Sequence, residues 1–390
     1  MSTRSAHEEI RRFLQSAKPE VLCVTGKWGV GKTYSWKHYL KEAQSLKAVA
    51  LNRYSYVSLF GQNSLDDLRY AIFENTIPIE NIDGGPNAKS LKSVRGTAET
   101  FLRSQMWLAG IIPQGREFLE GAGRALFFVV RNQIVCIDDL ERAGAGLDAK
   151  DVLGMISFLK EERKCKVVLL LNDEQLSQSA QTDFRSQLEK VADTRVVFDP
   201  TPSEAAEIGV SREPSFHELL IANCISLGIT NIRVIKKIER AGEALAQRLN
   251  TFDPGVLKQA IHTLTLFGWA HFQPSLAPPL EFLRRHNPWQ HLSSKKEVSE
   301  DEKRWEALLQ AYGFMNVDEL DKAVLQGIER GYFDTDALEK SAVALQKEIE
   351  HNRRDNSFSK AWDLYHYSWE PAEKVLDEMY GLLPVSWTPS

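Results

Sequence analysis

Residues Gly26-Lys27-Trp28-Gly29-Val30-Gly31-Lys32-Thr33 do most to limit what this 390-residue chain can fold into. They follow an apolar run, Val21 to Thr25, and precede a stretch with helical spacing, Tyr34 to Gln44. The spacing G-x-x-x-x-G-K-T between a strand and a helix is that of a phosphate-binding loop. Glycines leave no Cβ in the way, so successive backbone N–H groups can turn toward one anion, and the following helix adds the positive end of its dipole. In such a loop Gly26 through Thr33 and the adjoining Tyr34 surround a polyphosphate. The Lys32 ammonium reaches its outer phosphates, and the Thr33 hydroxyl stands at the helix start, where it can ligand Mg²⁺. The competing reading is an accidental glycine-rich turn, and the strand before and helix after argue against it.

A second stretch answers the first. Gln133 to Ile137 is an apolar strand ending in Asp138-Asp139-Leu140-Glu141-Arg142. Continuous apolar runs mark buried parallel strands, and ligand chemistry in such sheets gathers at the strands' carboxyl ends. Asp138 is thereby assigned to Mg²⁺, directly or through water. Asp139 is the candidate to orient or deprotonate an attacking water, with Glu141 in reserve. Alternatively, the acidic cluster merely caps a helix.

The tryptophan inside the loop, Trp28, and the hydrophobic-Asp-Asp-Leu-acid-Arg run of Asp138 to Arg142 resemble the KAP family of P-loop NTPases. The resemblance covers about the first half of the chain. It implies an ATPase whose sheet carries an additional strand between the two motif strands, with relatives in phage defence and signalling. Two features depart from that family. No membrane-spanning stretch separates the motifs, and Tyr54 to Gly61 stands where a Phe-Asn-x-Trp segment is expected.

The remaining strands and helices frame the same edge. Ser5 to Ala17 has the spacing of an amphipathic helix, Arg53 to Leu59 reads as a strand, and Ser64 as the N-cap of a helix. Residues 76–124 read as a helical excursion over one face of the sheet, with a lipid-contacting hairpin around Met106 to Ile112 as the alternative. Leu126 to Val130 reads as the end of a helix or a strand extension, and Lys150 to Glu162 as a helix. Lys166 to Leu171 is another buried strand. It ends in Asn172, which is placed either to sense a γ-phosphate or to cap a turn with Asp173. A helix from Gln181 to Val191 leads to a fifth strand, Arg195 to Phe198, and the Asp199-Pro200-Thr201-Pro202 break starts a helix at Ser203.

The fold class expected is α/β, a P-loop NTPase with a three-layer parallel-sheet core followed by an all-helical C-terminal half. The core spans 1–203, a helical lid 204–273 and a C-terminal helical domain 274–390. In the lid, Arg233 is positioned to couple nucleotide state to helix position; the bland reading is a solvated basic face with Lys236, Lys237 and Arg240. Ser293 to Lys303 reads as a charged linker. Trp362, Tyr365 and Trp369 recur at three and four, which favours a helical core over a base-stacking platform with Tyr367.

Composition narrows the function further. Net charge is −5, so nothing draws the whole molecule to nucleic acid. Cys23, Cys136, Cys165 and Cys224 are too dispersed for a zinc site or a disulfide framework. With no long apolar span and no apolar N-terminal run, a cytoplasmic location is expected. No Asn-Lys-x-Asp or Thr-Lys-x-Asp occurs to read a guanine edge, which favours ATP over GTP. Two readings stand: an ATPase whose cycle switches the helical half and a protein partner, and an ATP-dependent scaffold with little turnover. Self-assembly would let Arg142 or Arg195 complete a neighbour's site, and a nucleic-acid motor is a weaker third reading.

Overall fold

A computed structural model describes residues 3–84, 127–172, 178–212, 215–286 and 299–367. The chain divides into two compact units, Met1–Ala205 and Ala206–Ser390.

The first unit runs α1 (Thr3–Gln15), β1 (Val21–Thr25), α2 (Lys32–Ser45), β2 (Arg53–Ser58), α3 (Leu65–Glu74), β3 (Ile77–Pro78), β4 (Ile134–Asp138), α4 (Ala149–Glu161), β5 (Lys166–Leu171), α5 (Gln178–Val191) and β6 (Thr194–Val197). The sheet order is β3-β2-β4-β5-β1-β6. All pairings are parallel except that of β3 with β2. This is the three-layer core of a P-loop NTPase, with β5 as the additional strand between the loop strand β1 and the Asp138 strand β4.

The three central strands are the ones whose sequences are unbroken apolar runs, and every residue of β1, β4 and β5 is buried. Alternate residues serve opposite faces. Leu22, Val24, Ile134, Cys136, Val168 and Leu170 pack with Phe13 and Leu14 of α1 and Trp36 and Leu40 of α2. Val21, Cys23, Val135, Ile137, Val167 and Leu169 pack with Leu68 and Ile72 of α3, Val152, Ile156 and Leu159 of α4, and Phe184 and Leu188 of α5. Ser64 caps α3 as expected, accepting from the Asp67 N–H at 3.1 Å.

Three local expectations are corrected. β3, only two residues long, was not anticipated, because Ile77–Pro78 carries no alternating pattern of its own and is held by Arg53 and Tyr54 of β2. The helix after β6, α6 (Pro202–Gly209), starts one residue earlier than Ser203. Thr201 Oγ1 accepts from the Glu204 N–H while Glu204 reaches back to the Thr201 N–H, and Pro202 takes the first turn, where its missing donor costs nothing. Residues 299–303 of the supposed charged linker begin a helix: Ser299 and Glu302 form a reciprocal capping box.

The second unit is helical: α7 (His217–Ser226), α8 (Ile232–Leu249), α9 (Pro254–Phe272), α10 (Leu280–Arg285), α11 (Glu300–Tyr312), α12 (Glu319–Arg330) and α13 (Thr335–Tyr367). α9 is its axis, apolar nearly all round and contacted by α7, α8, α10, α12 and α13. Among the described residues no helix is long and apolar enough to cross a membrane. Most of the 76–124 excursion, including Met106 to Ile112, lies outside the described residues, as do Asp173, Trp369 and the side chains of Trp362, Tyr365 and Tyr367.

Candidate functional site

The loop after β1 owes its shape to its glycines. Gly29 and Gly31 adopt φ of 85° and 95°, backbone that residues with a Cβ rarely take, and Gly31 is the N-cap of α2. A Cβ on Gly26 would stand 2.4 Å from the Phe198 carbonyl oxygen beyond β6, so the loop passes where only glycine fits. Val30 is buried with the α1/α2 core, whereas Trp28 and Tyr34 are 49% and 53% exposed and flank the loop as open aromatic surface. Tyr34 stacks on His38, with ring centroids 6.2 Å apart. Lys32 Nζ donates to the carbonyls of Gly26 (2.7 Å) and Lys27 (2.9 Å), which draws the ammonium over the loop.

Asp138 ends β4 at the same edge, buried to 4% exposure. The Thr33 hydroxyl donates to its Oδ2 at 2.6 Å, the Tyr56 phenol donates to the same oxygen at 2.9 Å, and the Asp139 N–H donates to Oδ1 at 2.8 Å. Burial pushes the Asp138 pKa above the ordinary carboxylate value. The Thr33 hydrogen bond pulls it back, the Asp139 charge adds to the rise, and Tyr56 again opposes it. The phenol of Tyr56 is itself driven strongly upward by burial and by the Asp138 charge, so it remains a donor.

The two further carboxylates part company. Asp139 takes a left-handed conformation (φ 58°) and faces β2, where Ser58 Oγ donates to its Oδ2 at 2.6 Å; Arg142 approaches Oδ1 at 4.0 Å. Arg142 also lies 4.0 Å over the exposed ring of Phe60. Glu141, in the short turn Leu140–Arg142, faces β5 and accepts from the Asn172 N–H at 3.4 Å. Its pKa is raised by burial, against which nearby backbone N–H groups and the Lys32 charge act. Asn172 is buried beside it. Thus Lys32, Thr33, Asp138, Asp139, Glu141 and Asn172 share one edge of the sheet. Arg233 belongs to the second unit. It is exposed in the first turn of α8, capped by Asn231, whose Oδ1 accepts from the Arg233 and Val234 N–H groups.

Tyr56 and Ser58 were missed by sequence reasoning. They occupy alternate positions of β2, and the register Ser58↔Asp138 places them against the two aspartates. A polar alternation in Tyr54 to Ser58 was the only available signal, and the pairing partner was not readable.

The donor set suits a hard cation: a threonine hydroxyl and a buried carboxylate, with remaining positions left for phosphate oxygens and water, as Mg²⁺ prefers. Among the described residues no three His, Cys, Asp or Glu side chains converge to hold a metal by themselves. The glycine loop fits a polyphosphate for the steric reason given above.

No family model and no curated protein matches the sequence. Solved structures that resemble it include the ORC2 protein of Aeropyrum pernix in ADPNP-ADP complexes, at 13% identity over 84% of this chain and 93% of that one, TM-score 0.41. A Walker-type ATPase of Pyrococcus abyssi follows at 14% identity, 80% and 89% coverage and TM-score 0.38. The ORC1 protein of Aeropyrum pernix in complex with DNA shows 12% identity, 85% and 93% coverage and TM-score 0.33. Likenesses this weak carry no functional argument, and the P-loop NTPase fold stands on the strand order and the loop geometry of the chain itself.

Proposed function

We propose that this chain is an ATPase that binds Mg-ATP at the carboxyl edge of its sheet and uses hydrolysis to switch its helical half and a protein partner. The observation that carries this reading is the 2.6 Å contact between the Thr33 hydroxyl and the Asp138 carboxylate, two oxygens suited to a hard cation that come from separate motifs. In this reading the loop N–H groups and Lys32 hold the phosphates, and Thr33 and Asp138 hold the ion. Magnesium, when bound, would supply charge neutralisation at the phosphate oxygens. Asp139 orients or deprotonates water, Glu141 is the alternative base on the β5 side, and Asn172 senses the outer phosphate. Residues 204–273 act as the lid, with Arg233 coupling its position to the nucleotide, and 274–390 form the readout domain. Trp28 and the Asp138 to Arg142 run support a relationship to the KAP group, and with it a role in anti-phage defence or signalling.

A second reading, an ATP-dependent scaffold with slow turnover, is favoured by one observation: the Ser58 hydroxyl donates to Asp139 Oδ2, so that oxygen is already engaged within the protein. Turnover at saturating Mg-ATP separates the two. For an ATPase, Asp139→Asn or Glu141→Gln keeps ATP binding and lowers turnover by about two orders of magnitude. A wild-type protein that binds ATP without turnover supports the scaffold, and turnover preserved in both variants refutes the assignment of the base.

A further inference from the structure

A groove of about 630 Å³ lies between α3, α4 and the turn at Phe127, on the face of the sheet opposite α1 and α2. Its size falls within the range of small-molecule sites, roughly 300–1,000 Å³. Two features of it have no account in the packing of the core.

The first is Arg163, which is 7% exposed. Its guanidinium carbon lies 5.7, 4.8 and 5.1 Å from the ring centroids of Phe127, Phe128 and Phe158. Rings attract a cation but accept none of its N–H groups in the way an oxygen does. Nε has no hydrogen-bond partner, and among the described residues the guanidinium makes no ion pair. Burial and the neighbouring Arg131 both press its pKa below the ordinary guanidinium value. A buried donor left unmet is costly, and native proteins rarely keep one without a partner.

The second is Gly154, in the middle of α4 and on the groove wall. A helix-interior glycine weakens a helix relative to alanine. Usually a close neighbour requires it, yet a Cβ here would meet nothing within 4 Å. The missing side chain keeps the groove wide. Of the residues that line it, Arg69, Lys150 and Arg163 are basic and Asp151 is acidic; Arg69 is itself paired with Asp66 at 2.6 Å, and the Glu162 charge acts on Arg163. Phe128 and Phe158 remain 52% and 38% exposed and offer flat apolar surface beside the cation.

We infer that this groove binds a flat aromatic anion, its ring laid against the phenylalanines and its carboxylate, sulfonate or phosphate oxygens accepting from Arg163. The site is separate from the phosphate loop and does not depend on nucleotide chemistry.

The test uses the full chain and two fluorescent probes, 8-anilinonaphthalene-1-sulfonate and the uncharged N-phenyl-1-naphthylamine. The sulfonate binds saturably with one-to-one stoichiometry, about tenfold or more tighter than the neutral amine, and saturating Mg-ATP does not displace it. Arg163→Met removes that preference. Gly154→Leu, whose Cβ meets nothing within 4 Å, adds a side chain to the groove wall and weakens both probes by about tenfold or more while the thermal midpoint holds or rises. Should Arg163→Met fail to fold, Gly154→Leu decides alone. Equal affinity of the two probes for the wild type, displacement by ATP, or sulfonate binding unchanged in Gly154→Leu overturns the assignment.

Discussion

The Thr33 hydroxyl meets the Asp138 carboxylate at 2.6 Å across 105 positions of sequence. Parallel pairing of β1 with β5 and of β5 with β4 brings the two motifs to one edge, and Asp138 ends β4 where Thr33 begins its helix. Each contributes an oxygen suited to a hard cation, and the half-buried Tyr56 and the Asp139 N–H hold the carboxylate in place.

Tyr56 gives this arrangement a pH signature. Burial raises the Asp138 pKa and the Tyr56 hydrogen bond opposes the rise, so Tyr56→Phe lets it climb further. Protons then compete with Mg²⁺ at higher pH. The acid limb of Mg²⁺-dependent ATP affinity moves upward in pH, and binding titrations from acid to neutral pH check it. Because the folded carboxyl takes up a proton more readily than the unfolded chain does, its own contribution to stability falls as pH rises through the raised pKa. A limb that stays in place or moves to lower pH contradicts the role given to Tyr56.

Gly31→Ala tests the loop. At φ 95° an alanine is strained by about 1–2 kcal/mol, and relief requires moving N–H groups away from the anion. Nucleotide affinity falls by about tenfold or more, while the thermal midpoint shifts by only a few degrees. Parallel binding and melting curves make the comparison.

How much of this was legible before the structure? Gly26 to Thr33 and Asp138 to Arg142 were, because each is a contiguous run whose residue types carry its chemistry. The partners across strands were not. Ser58 and Tyr56 matter only through the register Ser58↔Asp138, which no local pattern encodes. β3 owes its existence to β2 rather than to Ile77–Pro78. By contrast, the true start of α6 was readable: Thr201 with Glu204 is a capping box and Pro202 favours the first turn, a signal that the nearby Ser203 obscured. The density of charge around Ser299 hid a second such box.

A stability asymmetry follows from the far end of the sheet. Lys166 Nζ is fully buried, donates to Glu20 Oε1 at 2.9 Å and lies 4.2 Å from the Phe13 ring centroid. Glu20 has a second cation in Arg12, at 3.2 Å. Glu20→Gln takes the countercharge from a buried ammonium and leaves it neutral oxygens only, the Lys18 carbonyl at 3.2 Å among them, at a cost of about 3 kcal/mol, whereas Lys166→Met leaves Glu20 paired and costs about 1 kcal/mol or less. Denaturant unfolding of both variants and of the double variant reads the difference. Equal costs for the two single changes contradict it.

Isothermal titration of the purified chain with ATP, in Mg²⁺ and again in EDTA, tests the central claim most directly. The account predicts one-to-one binding that weakens by about tenfold or more without the metal and that loses this metal dependence in Asp138→Ala. No ATP uptake by the wild type, or uptake indifferent to Mg²⁺, would contradict it.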